Sequence, residues 1–297
     1  MTYIVELPNE KENGLFKNGE SITMTKISID PESCTHCGIC MKICPVGIII
    51  PGAEDNVPFI PAEAETFCSE CGACEAYCPT ECISPIFETE HYDTTEIGTA
   101  GITSEQLGTY MVNRRSIRNY LGKPVDKATI KSMLDIVRYS PSGMNSQPVN
   151  WTIVHDTERV KKLTAHSIEW MRNVLESDVD HPVKPFMPAL IGSFEAGNDP
   201  ICRGAPHIAI AHAPAENPMA FTDSIIALTW FELAAPGFGL GACWAGFLKI
   251  AADSYEPIRE ELGLPEGHAV QYAMMFGYPK YKAKSVPGRN PAKIKWI

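Results

Sequence analysis

Apolar positions follow two different patterns along the chain, and the change between them divides it. Before about residue 100 the apolar runs are brief. Lys26 to Asp30 alternates like a short strand, Ile50 to Ile60 reads as a hairpin because Pro51, Gly52 and Pro58 interrupt it, and Ile86-Phe87-Glu88 closes this part. Residues 1 to 24 are polar without a clear period and are expected to form an N-terminal arm. Residues 89 to 102, rich in Thr, Glu and Gly, have the composition of a linker.

Beyond residue 102 the helical period takes over. Thr103-x-x-Gln106 has capping-box form, and Leu107, Tyr110 and Met111 then recur at helical spacing. A second helix is expected from about Asp126, with Ile130, Met133, Leu134 and Val137 on one face, stopping before Pro141. A strand at Asn150 to Val154 and an amphipathic helix at Glu158 to Glu176 follow. Pro182 to Pro200 reads as a long irregular stretch of the kind that forms lids or binding loops. Ile208 to Ala213 is expected as a buried strand. Thr222 to Ala235 is expected as a helix opening at Thr222 or Asp223 and closing at Pro236-Gly237. Ile225, Ile226, Leu228, Trp230, Phe231 and Leu233 leave it no polar face, which suits a core or a subunit interface. A Gly-rich run from Gly237 to Phe247 leads to a strand at Val270 to Gly277. That run follows a helix and lacks a βαβ setting, so it is not read as a dinucleotide fingerprint.

Composition adds a strong asymmetry of charge. Residues 1 to 95 hold 4 Lys and no Arg against 16 acidic residues, a net of −12, while the remainder is close to neutral at +1. An acidic face suits docking to redox partners, and it equally suits a merely solvated surface. Nucleic-acid binding is disfavoured, because no basic patch is visible to meet phosphates. No stretch reaches the roughly 18 apolar residues of a membrane span, and the N-terminus lacks a basic and apolar leader pattern. The expectation is a cytoplasmic protein that does not enter a membrane.

Of the 11 cysteines, 9 fall between Cys34 and Cys82. They form Cys34-x-x-Cys37-x-x-Cys40-x-x-x-Cys44-Pro45 and Cys68-x-x-Cys71-x-x-Cys74-x-x-x-Cys78-Pro79. Two intervening residues let three thiolates on a tight turn reach one [4Fe-4S] cubane, and the extra residue before the fourth sends it to the other cluster. The spacing thus assigns Cys34, Cys37, Cys40 and Cys78 to one cluster, and Cys68, Cys71, Cys74 and Cys44 to the second. The alternative, structural zinc, uses C-x-x-C pairs in tetrahedral sets without a third regularly spaced cysteine. A disulfide scaffold fits a reducing compartment poorly. Cys82 belongs to neither run and reads as a small buried residue. None of the 8 histidines falls in a metal or triad spacing.

Four further stretches carry a resemblance: Arg114-Arg115-Ser116-x-Arg118, Pro141-Ser142-x-x-Asn145-x-Gln147-Pro148, Gly239-x-Gly241-x-x-x-Ala245-Gly246-Phe247, and Arg289 ahead of a final strand. In this order they resemble the nitroreductase family of FMN-dependent oxidoreductases, here behind a bacterial-type two-cluster ferredoxin module. The resemblance implies an α+β protein: a ferredoxin-type domain at 25 to 95, then an FMN domain at 103 to 297 with an antiparallel-type sheet flanked by helices, in a homodimer. It places Arg114, Arg115, Ser116 and Arg289 at the flavin phosphate and ribityl chain, where guanidinium forks make charge-assisted bonds. It places Arg118 near N1 and O2 of the ring. Pro141, Ser142, Gly143, Asn145 and Gln147 resemble a segment lent to the partner's flavin, and backbone N–H groups near Ala245 and Gly246 resemble those facing N5. Cys243 and Trp244 depart from the common family pattern.

The cofactors expected are FMN and two [4Fe-4S] clusters. Electrons are expected to pass from an external low-potential donor, such as reduced ferredoxin, through the clusters to FMN and on to a small organic acceptor, a nitro compound being the family-level choice. Two alternatives stand beside this: a ferredoxin-flavin relay docking on a partner protein, and an NAD(P)H-dependent quinone or enone reductase. Room above the flavin, lined by the stretch at 182 to 200, favours an enzyme; a ring capped by Trp244 favours a relay. No catalytic side chain is assigned.

Overall fold

The computed structural model describes residues 26–53, 56–87, 98 and 101–297. The expected arm, Glu88 and most of the expected linker lie outside the described residues. The chain divides into two compact units, Met1–Thr95 and Glu96–Ile297.

In the first unit β1 (Ile27–Ile29) and β2 (Ile83–Pro85) pair antiparallel, Ile27 opposite Pro85 and Ile29 opposite Ile83. Between them lie two short helices, α1 (Ile39–Ile43) and α2 (Ala73–Ala76), each entered from a glycine in the left-handed region: Gly38 at φ 70° and Gly72 at φ 69°. Ile50 and Phe59 exchange backbone hydrogen bonds of 3.0 and 2.9 Å at the open end of the expected hairpin, and the Gly52 N–H donates to the Val57 carbonyl at 3.0 Å nearer its turn. Ile27, Ile49, Ile60 and Ile83 form the core together with Cys40, Cys74 and Cys82.

The second unit opens on α3 (Ser104–Asn113). Its capping box is complete, since Thr103 Oγ1 accepts from the Gln106 N–H at 3.1 Å and Gln106 Oε1 from the Thr103 N–H at 2.9 Å. Next come α4 (Lys127–Val137), β3 (Asn150–Val154), α5 (Thr157–Glu176), α6 (Met187–Glu195), β4 (His207–Pro214), α7 (Ala220–Ala234), β5 (Gly241–Trp244), α8 (Gly246–Ser254), α9 (Glu256–Leu262) and β6 (His268–Gly277). The four strands form one antiparallel sheet in the order β3-β4-β6-β5. The two central strands are buried on both sides, so they read as apolar runs, yet their side chains still alternate. Ile208, Ile210, Ala273 and Met275 join α5, α8 and α9 in one core; Ala209, Ala211, Met274 and Phe276 join α4 and α7 in the other.

Three expectations need correction. The stretch from 182 to 200 is not wholly irregular: a 3-10 turn at Lys184–Phe186 leads into α6. Pro185 and Pro188 stand in the first turns, where the missing N–H has no intrahelical partner to lose, so they start helices there instead of breaking them. The helix α7 opens at Ala220 and not at Thr222 or Asp223, because Asn217 Oδ1 accepts from the Met219 N–H at 2.9 Å and sets the turn one step earlier. Nor is α7 without polar residues inside: Asp223, Ser224 and Glu232 are buried, whereas Phe221 and Trp230 are exposed. The strand β5 and helices α8 and α9 had no counterpart in the sequence pattern.

Four histidines pair inside this unit. His207 is fully buried and stacks on His155 with ring centroids 4.3 Å apart; its Nε2 accepts from the Val125 N–H at 2.8 Å, which requires that nitrogen to be unprotonated. His212 Nδ1 lies 2.9 Å from His268 Nδ1. Burial pushes both His207 and His212 down from 6.5 to about 4, the neighbouring imidazole adding to each shift. Between those values the unfolded chain binds protons that the folded one refuses, so stability is full above about pH 6.5 and falls as pH falls toward 4. All 5 tryptophans lie after residue 150, so tryptophan fluorescence reports on this unit alone. The urea midpoint it detects should fall steadily across that window. His207→Gln should lower the midpoint at neutral pH and flatten its acid slope; an unchanged slope in that variant would show that His207 does not carry the effect.

Candidate active site and metal centres

The two cysteine runs fold as copies. Corresponding positions, 34 residues apart, share burial: Cys34 and Cys68 partly buried, Cys37 and Cys71 exposed, Cys40 and Cys74 buried, Cys44 and Cys78 partly buried. The backbone repeats as well, with His36 at φ 55° and Glu70 at φ 49°, both left-handed. Cys34, Cys37, Cys40 and Cys78 line one cavity, and Cys44, Cys68, Cys71 and Cys74 line another. Each run therefore contributes its last cysteine to the cavity of the other. All 11 cysteines are free thiols. Among the described residues no three His, Cys, Asp or Glu side chains are grouped to hold one metal ion. Four thiols set around a cavity suit a cubane, whose irons occupy separate corners. Burial pushes the Cys74 thiol up to about 11, a proton that iron ligation would displace.

In the second unit two clefts lie beside β5. The larger, about 880 Å³, is lined by Arg114, Arg115, Glu232 and Gly241 together with Lys280, Lys282 and Lys284. The smaller, about 440 Å³, is lined by Arg118, Arg203, Trp244, Gly246, Phe247 and Ile250, with Val183 and Pro200 from the ends of the α6 connection. The chain comes close here because Gly241 has no side chain: a Cβ would stand 2.8 Å from Ile117 Cβ and 3.0 Å from Pro279 Cγ. The Ile117 N–H donates to the Ala242 carbonyl at 3.0 Å, which fixes the arginine-bearing segment along β5. Glu232 bridges, accepting from Arg114 at 2.7 Å and from the indole N–H of Trp244 at 3.1 Å. Trp244 also meets Tyr272 edge-on at 5.1 Å, so its indole is tied to the α7 side of the sheet. Burial pushes the Cys243 thiol up, against the opposing pull of Arg118 and a hydrogen bond to Ser116.

Not all of the expected residues meet. Ala245 donates its N–H to the Ala273 carbonyl at 2.9 Å, extending the ladder, so that donor is not available to a ligand. Gly246 opens α8, where first-turn N–H groups have no partner within the helix. Arg289 lies on an exposed tail, donates to its own Pro287 and Gly288 carbonyls, and faces neither cleft. Among the described residues no strand follows it, as Pro287 and Pro291 cannot donate to a ladder. The segment Pro141 to Gln147 also faces neither cleft. It is held apart from them by buried Asp223, whose Oδ1 accepts from the Gly143 N–H at 3.1 Å, and by Ser142 Oγ, which accepts from the Gln147 N–H at 3.0 Å.

Comparison with known proteins then places the chain. Residues 111–278 match the model of the nitroreductase family. The chain belongs to that family. Residues 33–83 match a 4Fe-4S dicluster domain, and a second dicluster model matches 3–48, partly outside the described residues. A protein of Archaeoglobus fulgidus described as an NADH dehydrogenase/NAD(P)H nitroreductase is 27% identical over 168 residues, 56% of this chain and 82% of its own. A nitroreductase of Bacteroides fragilis solved with bound FMN aligns at TM-score 0.52 and 23% identity, over 64% of this chain and 99% of its own. One of Desulfitobacterium hafniense, also solved with FMN, aligns at 0.53 and 22%, over 66% and 100%.

In this nitroreductase-family chain, sequence reasoning missed Glu232, Arg203, Asp223 and the tail lysines. The first three gave no local signal, since each acts across the fold. Lys280, Lys282 and Lys284 did give one, a basic alternation after the last strand. Asp223→Ala should leave the Gly143 N–H without its charged partner, at about 1.5–3 kcal/mol for such a bond. Hydrogen exchange at residues 143 to 147 should then accelerate while that of β4 and β6 stays slow; unchanged exchange in the segment would show that Asp223 does not hold it.

Proposed function

We propose that the protein is an FMN-dependent oxidoreductase that receives electrons from an external low-potential donor, reduced ferredoxin, through two [4Fe-4S] clusters and passes them to a small organic acceptor such as a nitro compound. The observation that carries this reading is the pair of four-thiol cavities, each completed by the other run, in a chain that continues into a nitroreductase domain. A nicotinamide donor reduces flavin directly and needs no metal, whereas clusters convert a one-electron supply into two-electron chemistry. When bound, the clusters would carry single electrons and FMN would reduce the acceptor.

FMN is supported by family membership, by the relatives solved with it, and by the chemistry of the larger cleft, where two arginines and three lysines would hold a dianionic phosphate. Glu232 fixes Arg114 for that role. Arg118 would place positive charge at the pyrimidine edge of the ring, with Gly246 near N5. Phe247, Ile250 and Met275 would keep water from the smaller cleft, which opens under Val183 and Pro200. That opening, and the tethering of Trp244 to Glu232, favour an enzyme over a relay.

The reading includes a homodimer. Helix α3 has no buried residue although Leu107, Tyr110, Met111 and Val112 are apolar, and α7 presents Phe221 and Trp230 outward. Such faces call for a cover, and a second copy would also bring its Pro141 to Gln147 segment to the flavin.

Two experiments test this. Reduced ferredoxin, or dithionite through a viologen, should bleach clusters and flavin together, while NADH and NADPH do so slowly; rapid stoichiometric flavin reduction by NADPH, unaffected by combined Cys37→Ser and Cys71→Ser, would show that the clusters are not the entry route. The native mass should be that of two chains, and Trp230→Glu should give monomers that lose flavin. A wild-type monomer with full flavin would refute the shared site.

A further inference from the structure

The copied halves of the first unit differ where each crossing cysteine is surrounded. In the first copy Cys44 is followed at two and four residues by Val46 and Ile48; in the second Cys78 is followed at the same places by Thr80 and Cys82. Both pairs line the cavity that their cysteine completes, Val46 and Ile48 the one with Cys68, Cys71 and Cys74, Thr80 and Cys82 the one with Cys34, Cys37 and Cys40. One crossing ligand thus sits among aliphatic groups and the other among proton donors. Cys82 Sγ is 3.4 Å from Cys78 Sγ, too far for a disulfide and within sulfur hydrogen-bond range, and Thr80 Oγ1 is 3.7 Å from the same sulfur. Cys82 is only 8% exposed, so water does not compete strongly for its proton.

We infer that Cys82, assisted by Thr80, donates a hydrogen bond to the Cys78 sulfur and so raises the reduction potential of the cluster held by Cys34, Cys37, Cys40 and Cys78 above that of its twin. The inference rests on the reading that the eight thiols hold two cubanes. A thiolate bound to iron carries no proton, so in the Cys78 pair the S–H and O–H groups are the donors. Reduction adds negative charge that spreads onto the ligand sulfurs, and hydrogen bonds to those sulfurs favour the reduced form. The side chains of Val46 and Ile48 can donate nothing and exclude water, which favours the oxidised form of the second cluster. The pair Glu70 and His36 works in the same direction, since the run that carries the carboxylate supplies Cys68, Cys71 and Cys74 to the cavity lined by Val46 and Ile48, although Lys26 at 2.7 Å offsets part of its charge. Cys82 is therefore a positioning residue for electrons: the cluster beside it fills first.

The test is a potentiometric titration of the full-length, anaerobically purified protein, followed by absorbance and electron paramagnetic resonance, with iron counted in each variant. Wild type should contain about eight iron atoms per chain and reduce in two separable steps. Cys82→Ile, which copies the other half, should keep its iron and move the more positive step in the negative direction, leaving the other in place. Cys82→Ala guards against a failure of Ile to pack and should move the same step the same way; Cys82→Ser, which keeps a donor, should restore most of the difference. Ile48→Cys should move the more negative step upward, which assigns the steps to their clusters. Unmoved steps in Cys82→Ile and Cys82→Ala with full iron would reduce Cys82 to a packing residue and overturn the inference. Loss of half the iron in both variants would make Cys82 a ligand and overturn the donor role. A wild type holding about one or two metal ions per chain would instead overturn the cluster reading itself.

Discussion

Burial of β4 and β6 on both faces is the constraint that the second unit depends on. With an apolar core on each side, the middle of the sheet has no place for a charged ligand, and the buried polar side chains of β4, His207 and His212, are each paired. Chemistry is pushed to the edge, where β5 is only four residues long and the arginine-bearing segment lies along it. The clefts beside β5, one lined by Gly241 and Ala242 and the other by Cys243 and Trp244, follow from this geometry. So does the role of Glu232: a carboxylate on the inward side of α7 is tolerable because it ends at Arg114 and Trp244, where an unpaired one would be costly.

How much of this was legible in the residues depended on the range of the interaction that decides each element. The strand at Asn150–Val154 and the capping box at Thr103 matched residue for residue, since alternation and a cap are settled within a few positions. The cysteine runs were legible for the same reason, their spacing being a local geometric code. The opening of α7 was misplaced because Asp223 looks like a cap but answers to Gly143, 80 residues away in sequence. The stretch from Pro182 to Pro200 reads as irregular because its prolines interrupt the pattern, whereas Pro188 stands in the first turn of α6, where it starts a helix. β5 was hidden by the glycines around it, which lower strand propensity while permitting the contact with Ile117 that the edge requires.

Helix α7 also shows why an apolar composition does not by itself say which face is inside. Its inward positions carry Asp223, Ser224 and Glu232, and its outward ones Phe221 and Trp230. Inside, Asp223 holds the backbone at Gly143 and Glu232 fixes Arg114 and Trp244 beside the clefts, so both carboxylates serve geometry. Outside, the aromatic groups gain nothing from water. Burying a large side chain contributes about 1.5–3 kcal/mol, and on α3 Leu107, Tyr110, Met111 and Val112 are likewise exposed among the described residues. Helix α7 thus carries exposed aromatic groups on the same element that positions Glu232 and the Gly143 segment.

Charge in the first unit acts at two ranges. Residues 1 to 95 carry a net of −12, which disfavours adding electrons to the unit as a whole, and salt screens exposed charges beyond about 8–10 Å. A diffuse field of this kind can set how reducing the donor must be, but it cannot make two equivalent sites differ. Only a difference at contact distance can do that, and at the crossing cysteines the copies differ at two positions, with aliphatic groups on one side and a hydroxyl and a thiol on the other. In a buried setting of low dielectric such a donor acts on one sulfur with little screening, while the surface carboxylates act weakly on all eight. The repeat supplies two metal sites of one design, and a substitution four residues past the last cysteine is enough to give them an order.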